Sequence, residues 1–520
     1  VDGIVGVDGG WVRGREEDAV WEFLGVPYAR APAGPLRWRP PLRPEPWSGV
    51  RDAVEPGPIA PQAADGPAFP GDPVEQSEDC LHLSIWTPAP DSSRRPVLVW
   101  VHGGGFASGT AGSVLYRGRR LAAEGDVVVV NVNYRLGALG FLAHRALAPD
   151  GGVAANWALL DQVFALRWVR DHIAAFGGDP SKVTVFGESA GAMCVSTLLA
   201  APSARGLFAG AVVQSGPPYT HTPRRAEEAA EAFVHELGMA EVTRDALEKV
   251  PADDLVSALT ALGRAAPRPG ELPQPLQPVA DGVTVPNTPF EAIARGAASG
   301  VATIVGTNRD EITFFTLSDP SAKEMDLAGL EKRIAFSVPS VPAAQVVERY
   351  HDALTARGEP ARPLDIWTAA GSDAVFRWPS LRLAAALRMH EPRTFVYLFA
   401  WGSPAFGGAL GATHALEIPF VFGTYAARGV APLVLGEARG DKAARDEVEA
   451  LSAAMRASWV TFARSQDPST PLVGGWPPWD ADRRQTMVFG PTPSVQDAPR
   501  DPELGVWEAA FPLPGAGEPG

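Results

Sequence analysis

The residues with the clearest capacity for chemistry are Gly187-Glu188-Ser189-Ala190-Gly191. A β-branched apolar run, Val183-Thr184-Val185-Phe186, precedes this serine, and small or helix-forming residues follow it through Leu199. That context predicts a strand, a very tight turn and a helix, with the serine exposed at the turn as a nucleophile. The turn strains the backbone at the serine and tolerates only small neighbours, which Gly187, Ala190 and Gly191 supply. The helix that follows would aim its free amides and the positive end of its dipole at the seryl oxygen.

A second stretch, His102-Gly103-Gly104-Gly105-Phe106, follows the apolar run Pro96–Val101. Glycines at the carboxyl end of a buried strand let backbone amides come close to a ligand. Phosphate is one candidate, but a dinucleotide fingerprint starting at Gly103 would need glycine where Ser108 stands, and no glycine-rich Lys-Ser/Thr loop occurs. The other candidate is the oxyanion of an acyl-transfer intermediate, the usual companion of a serine elbow. His102 then reads as a prop for this loop and not as a proton carrier.

A serine of this kind needs a base and an acid, met in the chain order serine, acid, histidine on loops after strands. Past Ser189, the acids at a strand end are Asp310 and Glu311, and either fits. His221, His235, His351 and His390 lie in polar, helical or connecting segments, whereas His414 sits in a glycine-rich loop after the apolar run Thr394–Trp401. His414 would take the proton from Ser189 and return it to the leaving group. The acid would hold the imidazole tautomer and stabilise the imidazolium. No lysine stands three residues after a serine, so a Ser-Lys mechanism has no candidate.

The elements that must position these groups follow from pattern. Continuous apolar runs at 96–101, 126–131, 183–187, 207–213 and 300–306 predict buried parallel strands. Helical spacing over 156–175 and near 445–465, the latter expected to be the last helix, alternates with them, the signature of an α/β fold. Residues 1–30 read as short antiparallel strands, 55–75 as an irregular loop, and Thr486–Phe489 as a final strand. Helical insertions are expected at about 217–300 and 320–393, and a Pro/Gly-rich tail at 507–520. The whole chain, 1–520, reads as one catalytic domain without internal repeats. Its 520 residues carry a net charge of −15, which argues against nucleic acid or an anionic membrane as partner. No apolar run approaches the roughly 20 residues of a transmembrane helix. The N-terminal residues lack the basic flank and apolar core of a signal peptide. Cys80 and Cys194 form no metal or redox spacing and read as free, buried thiols. A cytoplasmic location is therefore expected, with a secreted form whose leader has been removed as the alternative.

These segments together resemble the type-B carboxylesterases, in particular the bacterial para-nitrobenzyl-esterase-like branch of the cholinesterase superfamily. The resemblance runs from about Gly25 to about Pro468, through GVPYARAPAGPLRWRPP, SEDCLHLSIWTP, HGGGF, NYRLGALGFL, LLDQVFALRWVRDHIAAFGGDPSKVTVFGESAGA, QSG, GTNRDE, HALEIPFVFG and WVTFARSQDP. It implies the α/β-hydrolase fold: a large, mostly parallel central sheet flanked by helices, with the insertions forming a gorge and cap. It implies Ser189 as nucleophile, Glu311 and not Asp310 as the acid, His414 as base, and oxyanion amides at Gly104, Gly105 and Ala190. Ser215 and Glu188 would support the triad, and the pairs Arg37–Glu78 and Arg135–Asp161 would be structural.

The departures bear on substrate. Residues 1–79 contain no cysteine to bridge Cys80, as the animal members do, and no tryptophan lies between Pro56 and Cys80 to bind a quaternary ammonium. Cholinesterase activity is therefore not expected. Ala155 and Ala158 replace glycines common in the family. Phe106, Phe314, Phe315 and Trp378 could line a pocket or be plain core. The expectation is a monomeric, cofactor-free and metal-free serine esterase acting on short to medium acyl or aryl esters. Carbamates, aryl amides and polyester-derived esters are alternative substrates, and a non-catalytic binding protein is the remote alternative.

Overall fold

The computed structural model describes residues 3–63, 75–148, 154–240, 242–264, 268–317 and 319–514. Its strands, in chain order, are β1 (Ile4–Val7), β2 (Gly10–Arg13), β3 (Arg15–Glu17), β4 (Val20–Pro27), β5 (Val50–Asp52), β6 (His82–Thr87), β7 (Arg95–Val101), β8 (Val128–Val132), β9 (Gly178–Glu188), β10 (Gly210–Gln214), β11 (Ala302–Asn308), β12 (Thr394–Phe399), β13 (Thr486–Phe489) and β14 (Ser494–Gln496). β1, β2 and β5 form a small sheet, and the other 11 form one large sheet in the order β14-β13-β12-β11-β10-β9-β7-β8-β6-β4-β3. Every pairing from β8 across to β13 is parallel, and the pairings at the two margins are antiparallel.

The apolar runs mark strands covered on both faces. Along β7, Val97, Val99 and Val101 enter the core on one side of the sheet, and Leu98 and Trp100 enter the core on the other. The helices Trp157–His172, Ala190–Leu198 and Trp378–Arg388 contribute to the first core, and Arg119–Gly125 and Lys442–Ser465 to the second. In Lys442–Ser465 the buried residues Val448, Leu451, Met455, Trp459 and Phe462 recur every three or four positions, so one stripe faces the sheet. The Asp441 side chain caps that helix by accepting from the Ala443 amide.

Four short helices, Pro223–Glu236, Arg244–Glu248, Ala252–Arg264 and Pro289–Ala294, occupy the 217–300 segment, and five occupy most of 320–393. Three expectations need correction. β13 is followed by the antiparallel edge strand β14. The expected tail begins inside a helix, Asp501–Ala510, and the helix at 442–465 is not the last. Leu504 and Trp507 of that final helix are buried, and Trp507 Nε1 donates to Tyr350 Oη at 2.6 Å. A ten-residue helix with only two or three core residues has too short a pattern to stand out among prolines and glycines. Residues 64–74 of the expected loop and 515–520 of the expected tail lie outside the described residues.

Both ion pairs form. Arg37 grips Glu78 through two bonds of 2.5 and 2.6 Å. Arg135 grips the fully buried Asp161 at 2.7 and 2.8 Å, and its own amide also donates to that carboxylate. Cys80 and Cys194 are buried and unbonded. Among the described residues, no helix is long and apolar enough to cross a membrane.

Candidate active site

Ser189 directly follows β9, near the middle of the sheet, and adopts φ 54°, ψ −129°. A non-glycine residue held there is strained, and the surroundings show how the strain is maintained. The Ser189 amide donates to Gln214 O at 2.9 Å, and the Met193 amide donates to Ser189 O at 2.8 Å, pinning the turn to β10 and to the helix. Gly191 cannot be replaced without displacement, because a Cβ there would lie 2.1 Å from Val101 O and 2.5 Å from His102 O. At Gly187 a Cβ would lie 2.7 Å from Val101 O. The two glycines of the motif thus let the helix start lie directly against the end of β7.

Ser215, Glu311 and His414 come from the next three strands. Ser215 follows β10, Glu311 lies in the turn after β11, and His414 lies in the long loop after β12. Glu311 Oε2 is 2.6 Å from His414 Nδ1. Its Oε1 accepts from Ser215 Oγ at 2.5 Å and from the Asn308 amide at 2.8 Å. Glu311 is fully buried, so these bonds hold its orientation and replace its hydration. Asp310 points elsewhere. It pairs with Arg309 at 2.8 Å and accepts from the Ala412 amide at 2.8 Å, while Asn308 Nδ2 donates to Thr413 O at 2.7 Å. Asp310 and Asn308 therefore dock the loop that carries His414 onto the end of β11.

Glu188 is buried and lies on the other side of the imidazole, with Oε1 3.0 Å from His414 Nε2. Ser189 Oγ makes no hydrogen bond to another described residue, so in the unliganded site Nε2 faces Glu188. Burial pushes the Glu188 carboxyl up to about 8, against the pull of His414 and with repulsion from Glu417 and Glu311. Burial by itself would lower His414, but Glu188 and Glu311, followed by Glu417, outweigh it and hold the imidazole up to about 9.

Sequence reasoning did not find three contributors. Glu417 is fully buried, accepting from Gln214 Nε2 at 3.0 Å and Asn308 Nδ2 at 2.6 Å. Phe376 lies 4.9 Å from the His414 ring. The role of Asn308 was also missed. Glu417 and Asn308 do lie within the family-like stretches HALEIPFVFG and GTNRDE, which was the available signal. Nothing local marks Phe376, which a helical insertion brings to the site.

Gly104 and Gly105 take φ of 117° and 61°. A Cβ at Gly104 would lie 2.1 Å from Ser108 O, so glycine is required there. No described residue accepts from the amides of Gly104, Gly105 or Ala190. His102 is buried, stacks on Tyr134 at 4.5 Å and meets Gly103 O through Nδ1, and burial lowers it to about 4. It is a neutral prop. Ser189, His414, Gly104, Gly105 and Glu188 open onto one cavity of about 2470 Å³. Phe106, Phe314, Phe315 and Trp378 also line it, although Phe106 and Trp378 are at the same time buried in the core.

The arrangement defines an α/β-hydrolase with a serine elbow, a facing glycine loop and a histidine–glutamate pair. Residues 1–507 match the carboxylesterase family, and the chain belongs to that family. It is 37% identical to para-nitrobenzyl esterase of Bacillus subtilis over 98% of this chain and 99% of that one. It is 36% identical to phenmedipham hydrolase of Pseudarthrobacter oxydans, over 91% and 92% of the two chains. Among solved structures it superposes on a PNB esterase with a TM-score of 0.85 at 36% identity, covering 98% of this chain and 100% of that one. The Geobacillus stearothermophilus carboxylesterase Est55 gives a TM-score of 0.84 at 37% identity, covering 97% and 100%.

Proposed function

We propose that this carboxylic ester hydrolase acts through Ser189, His414 and Glu311. The observation that carries the reading is the 2.6 Å contact of Glu311 with His414 Nδ1 in the cavity into which the strained Ser189 opens. With Nδ1–H donated to Glu311, Nε2 is left as the basic nitrogen. Catalytic hydrogen bonds of unliganded sites tighten when substrate binds. His414 Nε2 takes the hydroxyl proton as Ser189 Oγ attacks the ester carbonyl. The amides of Gly104, Gly105 and Ala190 then stabilise the oxyanion. The intermediate collapses, the C–O bond to the alcohol breaks, and His414 returns the proton to the departing oxygen. Water, deprotonated by His414, attacks the acyl-enzyme and releases the acid, with the proton returning to Ser189. Ser215 and Asn308 position Glu311, and Glu188 sets the affinity of His414 for its proton.

Short to medium acyl and aryl esters are the proposed substrates. Carbamates are a second class, supported by the relative named for phenmedipham hydrolysis. The test is hydrolysis of 4-nitrophenyl acetate, butyrate and octanoate by wild type and Ser189→Ala, with an organophosphate followed by intact mass. Turnover of the short esters, one phosphoryl adduct on the Ser189 peptide, and loss of at least about a thousandfold in the variant are expected. Residual activity above that level moves the nucleophile elsewhere. Neither turnover nor adduct leaves a binding protein on the same fold.

A further inference from the structure

The chain is strongly acidic, yet among the described residues its substrate cavity is lined by seven arginines against four glutamates, with no lysine or aspartate. The glutamates contribute little negative charge inside. Glu188 lies against His414 Nε2 at 3.0 Å, Glu271 is paired with Arg225, and Glu55 and Glu75 are exposed. Most of the arginines are also accounted for. Arg224, Arg225, Arg268 and Arg333 pair with Glu228, Glu271, Glu228 and Asp319, and Arg117 and Arg428 are solvent-exposed.

Arg382 is different. It is partly buried in the cavity wall, and no carboxylate among the described residues lies within 4.0 Å of it. Its guanidinium lies over the Phe290 ring at 5.3 Å, and its Nε is sealed from solvent without a hydrogen-bond partner. The two terminal nitrogens donate to no described residue and, unlike Nε, are not sealed from solvent. Arg382 stands on the helix Trp378–Arg388, which continues from the turn Asp373–Arg377. That turn carries Phe376, 4.9 Å from the His414 ring. Arg382 and Phe376 both line the cavity that Ser189 and His414 open onto, and six positions of one continuous helical segment separate them. A planar guanidinium with two free terminal donors fits a carboxylate bidentately.

We propose that Arg382 is a carboxylate-binding group of the substrate cavity, and that the preferred esters carry a free carboxylate a few bonds from the scissile bond. This rests on the esterase reading above. Half-esters of dicarboxylic acids would present the charge on the acyl side, and esters of hydroxybenzoates on the alcohol side.

The experiment compares kcat/KM for two pairs matched in size but differing in charge: 4-nitrophenyl hydrogen adipate against 4-nitrophenyl hexanoate, and 4-acetoxybenzoate against its methyl ester. Wild type is expected to favour the anion in at least one pair, with the advantage shrinking as salt is raised. In that pair Arg382→Met should lose about tenfold or more on the anion. The neutral ester should stay within about twofold, and Arg382→Lys should keep part of the preference. A wild type that favours the neutral ester in both pairs overturns the proposal without recourse to any variant. So does a Met variant that loses both members of a pair equally. Failure to turn over the hexanoate would instead remove the esterase reading itself.

Discussion

Glu188 offers the sharpest test of the electrostatics of this site. Its carboxyl lies 3.0 Å from His414 Nε2, and when ionised it stabilises the imidazolium. The imidazole must be neutral to accept the proton of Ser189, so the alkaline rise of kcat/KM reports the loss of that stabilised proton. At an effective dielectric constant of about 20, two unit charges at this separation interact by about 5 kcal/mol, which sets a ceiling of about 4 pH units. Glu311 and Glu417 share in raising His414 and burial opposes them, so Glu188 supplies only part of the effect. The realised effect should therefore be about 1 to 2 units. Glu188→Gln keeps the shape and removes the charge, and the rising limb should move to lower pH by that amount. The assay is kcat/KM for 4-nitrophenyl butyrate from about pH 5 to about pH 10 at constant ionic strength, corrected for spontaneous hydrolysis. The inflection is the readout, so a change in plateau does not confound it. An inflection that stays in place or moves upward refutes the assignment of Glu188 as the carboxylate that raises His414.

Glu311→Gln should reduce kcat by about a thousandfold or more. Asp310→Asn, which touches only Arg309 and the loop amide, should stay within about tenfold, and the opposite ranking in steady-state kinetics would reassign the acid. Gly191→Ala forces a methyl group to 2.1 Å from Val101 O. It should destabilise the fold by about 1–3 kcal/mol and abolish turnover; a denaturant midpoint and a rate equal to wild type would mean the elbow is looser than described. Incubation with EDTA should leave the rate unchanged, because every step is assigned to protein groups. Inhibition reversed by added metal would contradict that mechanism.

The chain order of the amino acids determines the elbow, the glycine loop and the buried strands. These features depend on contacts between near neighbours, so their steric demands appear as residue types at fixed spacing. A Cβ at Gly191 or Gly104 would strike backbone, and continuous apolar runs such as Pro96–Val101 report burial on both faces of a sheet. His414 was legible because one histidine alone stands in a glycine-rich loop after a late strand. Asp310 and Glu311 were not separable from their own residue types, since both are acids on the same turn. In the structure Ser215 Oγ and the Asn308 amide hold Glu311 toward the histidine, while Arg309 and the Ala412 amide draw Asp310 away. Glu417, Phe376 and the guanidinium of Arg382, which has no carboxylate partner among the described residues, likewise acquire meaning only where distant segments meet. An electrostatic field, a ring against an imidazole and a missing counter-ion are sums over neighbours in space, and a linear pattern does not carry them.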